Sequence, residues 1–212
     1  MTTVFVDIDT QLDFLCPSGA LYVPGAERIV PAIEHLNRYA AAHGTPVLST
    51  TDAHAENDPE FAAWPPHCVA GTLGQHKAAA TLLDKRIVVP NRDCAFSFEG
   101  AQQIILEKQT VDVFDARHLR GVLTKLHADS FVVYGVATEV CVWNAVRGLL
   151  AMKKPVTVVA EAVKELAGDR AAQVFNEIRA LGGVISTLGG VCRNQRVTGG
   201  LRRSSTPSGA AE

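Results

Sequence analysis

No apolar run in this chain approaches the ~20 residues that a bilayer-spanning helix needs. An excess of one charge is missing too. Twenty Lys and Arg against 22 Asp and Glu leave a net charge of −2, which gives no electrostatic reason to expect nucleic acid or an anionic membrane as partner. There is no G-x-G-x-x-G after the first apolar stretch and no Walker loop, so nucleotide binding has no positive signal. Five cysteines (Cys16, Cys68, Cys94, Cys141, Cys192) are an odd number without C-x-x-C spacing, which argues against a disulfide framework and against a thiolate zinc knot. Reduced thiols in a reducing compartment fit better. Met1 leads straight into "TTVFVDID" without a basic n-region, and the expectation is a cytoplasmic enzyme or binding domain.

What is present is an ordinary globular composition, 47% hydrophobic and 20% charged, in a length of 212 residues that suits one medium domain. Short β-branched runs alternate with longer helical patterns. "TVFVDI", "PVLST", "KRIVV", "QQIILEK", "SFVVYGV", "PVTVVAE" and "VISTL" read as strands. "AERIVPAIEHLNRYAAAHG", "DARHLRGVLTKLHA", "TEVCVWNAVRGLLAMK" and "DRAAQVFNEIRALGG" read as helices. Continuous apolar strands separated by helices predict a mostly parallel central sheet covered on both faces, a three-layer α/β/α sandwich. It would occupy residues 1–194, followed from 195 to 212 by a small, polar, disordered tail.

In open α/β sheets ligands sit at the carboxyl ends of the strands. Asp9 follows the first strand, Asp52 and His54 the second, Lys108 ends "QQIILEK", and Cys141 lies just past "SFVVYGV". An acid, a metal-type pair, a cation and a thiol are thus delivered to one sheet edge. A cysteine early in a helix feels the positive end of the helix dipole, which favours thiolate, and a strand-end carboxylate is placed to take its proton. Each residue has a plainer reading. Cys141, between Val140 and Val142, could be a small core hydrophobe; Asp9 and Asp13 could cap the loop; Lys108 could be solvated. The stretch "TTDAHAENDPEFAAWPPHCVAGT" (50–72) is likewise either a polar, proline-broken surface loop or a metal site.

"VDIDTQLDF", "DAH…WPPHCVAGT", a lone Lys before "QTVDVFD" and "GVATEVCV" occur in this order. Together they resemble the isochorismatase-like cysteine hydrolases, and within them the nicotinamidase/pyrazinamidase branch, over roughly residues 3 to 187. The resemblance implies Asp9 as general base and acid, Lys108 as the thiolate-stabilising cation and Cys141 as nucleophile. It also implies a cis Val136–Ala137 peptide that aims the N–H groups of Ala137 and Cys141 at an oxyanion. Phe14 and Trp64 would wall the substrate pocket. Asp52, His54 and His67 would hold one divalent ion, zinc first and iron(II) or manganese(II) as alternatives, since imidazoles and carboxylates suit these metals. Glu60 would be the fourth protein ligand, with Glu56 and Asp58 as competitors and His76 just beyond. The implied reaction converts nicotinamide, or a similar small aromatic carboxamide, to the acid and ammonia through a thioester, in pyridine nucleotide salvage. The implied partner is a small-molecule amide, and relatives of this kind form homo-oligomers. Two features depart from compact pyrazinamidases: Val140 stands where some relatives place a ring-contacting histidine, and the segment between His67 and Lys108 is longer. The alternatives are another small amide, an N-carbamoyl compound, or a non-catalytic metal-binding or thiol-redox module.

Overall fold

The computed structural model describes residues 2–168 and 170–199, with side chains as far as 193. Seven strands form one sheet: β1 (Thr2–Ile8), β2 (Val47–Asp52), β3 (Arg86–Val89), β4 (Gln103–Lys108), β5 (Ala128–Val136), β6 (Val156–Lys164) and β7 (Val184–Ser186). Their order is β3-β4-β2-β1-β5-β6-β7 and every pairing is parallel. The central strands read as apolar runs because helices cover both of their faces, so Val4, Phe5, Val6 and Ile8 of β1 are all buried.

The helices are α1 (Leu12–Leu15), α2 (Val30–Ala42), α3 (Leu119–Lys125), α4 (Trp143–Ala151), α5 (Arg170–Ala180) and α6 (Leu188–Gly199). α2 turns Ile33, Leu36, Asn37 and Ala40 inward, and Pro31 sits in its first turn, where no N–H is missed. It packs with α6 on one side of the sheet, while α3, α4 and α5 make the opposite layer. This is the three-layer α/β/α architecture that the alternation of runs predicts.

Two elements differ from the sequence reading. The helix expected across "DARHLRGVLTKLHA" begins only at Leu119. Asp112 instead caps a short 3₁₀ turn, Val113–Asp115, by accepting from Phe114 N, and Arg117 N donates to Asn91 Oδ1. His127, at φ 48°, then turns the chain into β5. At the other end, Thr187 Oγ1 accepts from Gly190 N and opens α6, which the Gly189–Gly190 pair hides from a propensity argument. The tail expected from residue 195 overlaps the end of α6 and otherwise lies outside the described residues.

β4, β2, β1 and β5 are consecutive across the sheet. Chain order reverses between β1 and β5, which is the switch point where α/β sheets open a crevice at their carboxyl ends.

Candidate active site

Register brings the first two charges together. Asp52 is the partner of Lys108 at the ends of β2 and β4, and Lys108 Nζ lies 2.5 Å from Asp52 Oδ1. The same ammonium is 2.9 Å from Asp9 Oδ2 and 3.8 Å from Cys141 Sγ, and it donates to Thr110 O at 3.0 Å. Asp9 follows β1 in the left-handed region (φ 49°). Its N–H donates to Thr50 Oγ1 and its Oδ1 accepts from the same hydroxyl at 2.5 Å. Gly135 of β5 is why β1 and β5 come so close here: a Cβ on it would stand 2.1 Å from Ile8 O, and its φ is 120°.

After β5 the Val136–Ala137 peptide is cis, and Thr138–Val142 form a π-helical turn that runs into α4. Such widened turns recur at functional sites. Cys141 is in this turn, 8% exposed. Asp9, Lys108 and Cys141 therefore meet in space.

Burial pushes the Cys141 thiol well above its usual range. The neighbouring Lys108 charge opposes this, while Asp9 and Asp52 add to it, Asp9 also through a hydrogen bond. Burial also raises Asp9, with Lys108 and Thr50 holding it down and Asp52 pushing it up. Burial would lower Lys108, but Asp52 and Asp9 outweigh it and keep the ammonium charged. Asp52 is pushed up by burial and pulled further down by Lys108 and His67, ending below the ordinary carboxylate range. The resting arrangement is a protonated thiol beside a carboxylate of raised basicity, with a fixed cation between two acids.

Asp52 carries a second set on its other oxygen. Oδ2 lies 3.9 Å from His54 Nε2 and 3.8 Å from His67 Nε2, and one donor atom from each of the three residues falls within 4.8 Å of the others. His67 Nδ1 faces Pro65 O at 2.8 Å, which can only accept, so Nδ1 carries a proton and Nε2 is the nitrogen turned to Asp52 and free to act as a ligand once unprotonated. His54 Nδ1 lies 3.1 Å from Asp58 Oδ2. Both His54 nitrogens are buried without a hydrogen-bond partner, and of the two only Nδ1 has a close ion contact, the one to Asp58. A buried imidazole nitrogen left orphaned, facing a carboxylate and a second imidazole, is the arrangement a divalent cation satisfies, so these residues fit the metal.

Of the competitors for a fourth ligand, Asp58 is on the far side of the His54 ring, where it orients the imidazole and accepts from Glu60 N. Glu56 and His76 are exposed. Glu60 lines the cavity beside Asp52 and His67, and burial together with the Asp52 charge raises its pKa.

The cavity holds about 350 Å³ of atom-free space, counted to its mouth. Phe14 and Trp64 line it, as do Cys141 and Ala137. Leu21, Val23, Val111, Val140 and Leu166 complete an otherwise apolar wall. The sequence reading passed over Leu21, Val23, Val111 and Leu166, which lie in loops with no motif of their own. It also passed over Thr50 on Asp9 and over Gln11, whose amide accepts from Asp52 N and donates to Asp52 O and Gln75 O. Gln11 stands inside the "DTQLDF" stretch, which was a usable signal; Thr50 reads as an ordinary β-branched strand residue.

A buried thiol, acid and ammonium at the switch point of a parallel sheet, beside a two-histidine, one-aspartate cluster, define a cysteine-hydrolase type of site. The chain belongs to the Isochorismatase domain family, whose model matches residues 3–189. It is 26% identical over 210 residues to the nicotinamidase of Escherichia coli (strain K12), covering 85% of this chain and 92% of that one. It is 25% identical over 151 residues to the N-carbamoylsarcosine amidase of an Arthrobacter species, covering 69% of this chain and 53% of that one. In fold it is similar to the pyrazinamidase of Pyrococcus horikoshii in complex with zinc, with a TM-score of 0.75 at 24% identity over 88% of this chain and 99% of that one.

Proposed function

We propose that the chain is an amidohydrolase that cleaves a small, neutral aromatic carboxamide, nicotinamide foremost, to the acid and ammonia through a cysteine thioester. The observation that carries the reading is Lys108, buried between Asp9 and Asp52 with Cys141 in reach, where Asp52 and Cys141 open on one largely apolar cavity. Relatives whose names are nicotinamidase and N-carbamoylsarcosine amidase support amide hydrolysis as the reaction class.

In the proposed reaction Cys141 passes its proton to Asp9 as its sulfur attacks the amide carbon. The C–S bond forms and the carbonyl π pair moves to oxygen, where the backbone N–H groups of Ala137 and Cys141 hold it. The oxyanion collapses, the C–N bond breaks and Asp9 returns the proton to the departing ammonia. Water then attacks the thioester, gives a proton to Asp9, and the acid leaves as the thiol is restored. Lys108 keeps its charge throughout and stabilises the transient thiolate. Asp52, His54 and His67, with Glu60 beside them, would hold a divalent cation that supplies Lewis-acid anchoring for a ring nitrogen. Phe14 and Trp64 would sandwich the ring.

Charge separates the amide candidates. The cavity is lined by Asp52 and Glu60, and the cation beneath it, Lys108, is already bound to two carboxylates. No Lys or Arg among the described residues lines it, so a substrate carboxylate such as that of N-carbamoylsarcosine finds no side-chain counter-ion and would have to compete with Asp52 and Glu60 for the divalent cation. The deciding experiment is ammonia release by the zinc-reconstituted protein from nicotinamide, pyrazinamide, benzamide and N-carbamoylsarcosine. Nicotinamide is expected to be turned over best, and Cys141→Ala to abolish turnover while retaining zinc. Ammonia from none of the four, or an active Cys141→Ala, overturns the reading.

A further inference from the structure

Glu139, the acid in "GVATEVCV", has no part in the chemistry above, yet its carboxylate is fully engaged. Oε1 accepts from Ala167 N at 2.7 Å and from Leu166 N at 3.1 Å, and Oε2 accepts from Leu166 N at 3.2 Å. These amides belong to the loop that leaves β6 after Lys164 and turns at Gly168 toward α5. Leu166 is half-buried, and its side chain is one wall of the cavity. Consecutive residues of the π turn thus diverge: Val140 and Cys141 line the cavity, while Glu139 reaches sideways to the loop that faces them.

We infer that Glu139 is a positioning residue for substrate binding, a strut that ties the nucleophile turn to the β6–α5 loop and so holds Leu166 against the bound ring. The inference rests on the proposed amidohydrolase reading for the identity of the bound ring, while the strut itself rests on the three contacts. The reasoning is physical. Loops are held by what their backbone donors find. Hydrogen bonds to a charged acceptor are roughly twice as strong as neutral ones. Anchoring the loop to the nucleophile turn, rather than elsewhere on the surface, means that the two walls keep their spacing when either shifts. A wall set in this way acts on the ground-state complex and the transition state alike, so its loss raises KM and leaves kcat nearly as it was.

The test uses full-length, zinc-loaded protein with Glu139→Ala, Glu139→Gln, Leu166→Ala and the Glu139→Ala/Leu166→Ala double variant. Without substrate, amide hydrogen exchange at Leu166 and Ala167 should quicken about tenfold or more in Glu139→Ala, the factor that losing a charge-assisted hydrogen bond implies, and by less in Glu139→Gln, which keeps one acceptor oxygen. With nicotinamide, Glu139→Ala should raise KM about tenfold with kcat within about threefold. The double variant should match Leu166→Ala, because a strut has nothing left to hold once the wall is gone. Unchanged exchange overturns the strut, as do KM effects that multiply in the double variant or a kcat loss without a KM change. If the unmodified protein releases no ammonia, the activity reading falls, while the exchange experiment still decides whether Glu139 holds the loop.

Discussion

In the proposed reaction Asp9 takes a proton from sulfur and hands it to nitrogen, and its surroundings set the pH at which it can. Burial raises it; Lys108 and Thr50 hold it down. A general base works only when deprotonated, so kcat/KM should fall as pH drops through a value above the ordinary carboxylate range. Thr50→Val keeps the shape and removes the hydroxyl that bonds Oδ1. Asp9 then rises further and the acid limb should move to higher pH in a kcat/KM profile; an unmoved limb would mean that another group sets it. At the neighbouring cluster, His54→Ala should lose tight zinc in a competition titration with a chromophoric chelator. Removing Asp58, which touches His54 Nδ1 and lies outside the Asp52, His54 and His67 cluster, should weaken it about 10–100-fold. Undiminished zinc affinity in His54→Ala would refute the ligand assignment. The strand-end residues were legible because acid, imidazole, cation and thiol at four carboxyl ends are hard to explain otherwise. Thr50 was not, because it touches Asp9 yet has the composition of any β-branched strand residue, and Asp58 stood out only as a competing ligand, not as the partner of His54.

At the scale of elements, the site depends on how closely β1 and β5 approach, and Gly135 sets that distance. Alanine there must adopt φ 120° and push a methyl to 2.1 Å from Ile8 O, which L side chains do not tolerate and backbone cannot sidestep. Gly135→Ala should lower Tm sharply and part Asp9 from Cys141, abolishing turnover in whatever fraction still folds. Gly121, inside α3, is the control: a Cβ there meets nothing within 4 Å, and alanine should stabilise by about 0.5–1 kcal/mol through helix propensity. If calorimetry finds both variants alike, the close approach is not what Gly135 serves. The same elements mark where sequence periodicity stops being informative. The strands were legible as apolar runs because both of their faces are covered. The start of α3 was not, since Asp112 and Asn91 capture the backbone of 114–117 before a helix can begin, and α6 was hidden behind two glycines that tertiary contacts override.

The whole molecule contains a second buried ion pair, on which the front of the site leans. The long connection between β2 and β3 runs antiparallel to the residues after β1, with Leu12 N donating to His76 O and Ala78 N to Thr10 O. Lys77 from this segment lies 3.1 Å from Asp7 Oδ2 and donates to Thr10 Oγ1, which donates in turn to Asp7 Oδ1. Ser49 and Asn37 also donate to Asp7, and Tyr134 donates to Asn37 Oδ1, so one carboxylate joins β1, β2, β5, α2 and the connection. Nothing in "GQHKAAAT" separates this lysine from a surface one, since its partner is 70 residues away in the sequence. Lys77→Met leaves Asp7 as a buried charge without a counter-ion, a defect that costs about 3–5 kcal/mol, or roughly 10 °C in Tm for a domain of this size. Replacing both partners, Asp7→Leu with Lys77→Met, removes the stranded charge and should recover part of the loss. A Lys77→Met protein that melts with the unmodified one would show that the connection is held by its backbone bonds alone. A single variant that melts early and a double variant that recovers would instead identify the Asp7–Lys77 pair as the lock that fixes the Asp9 turn from behind.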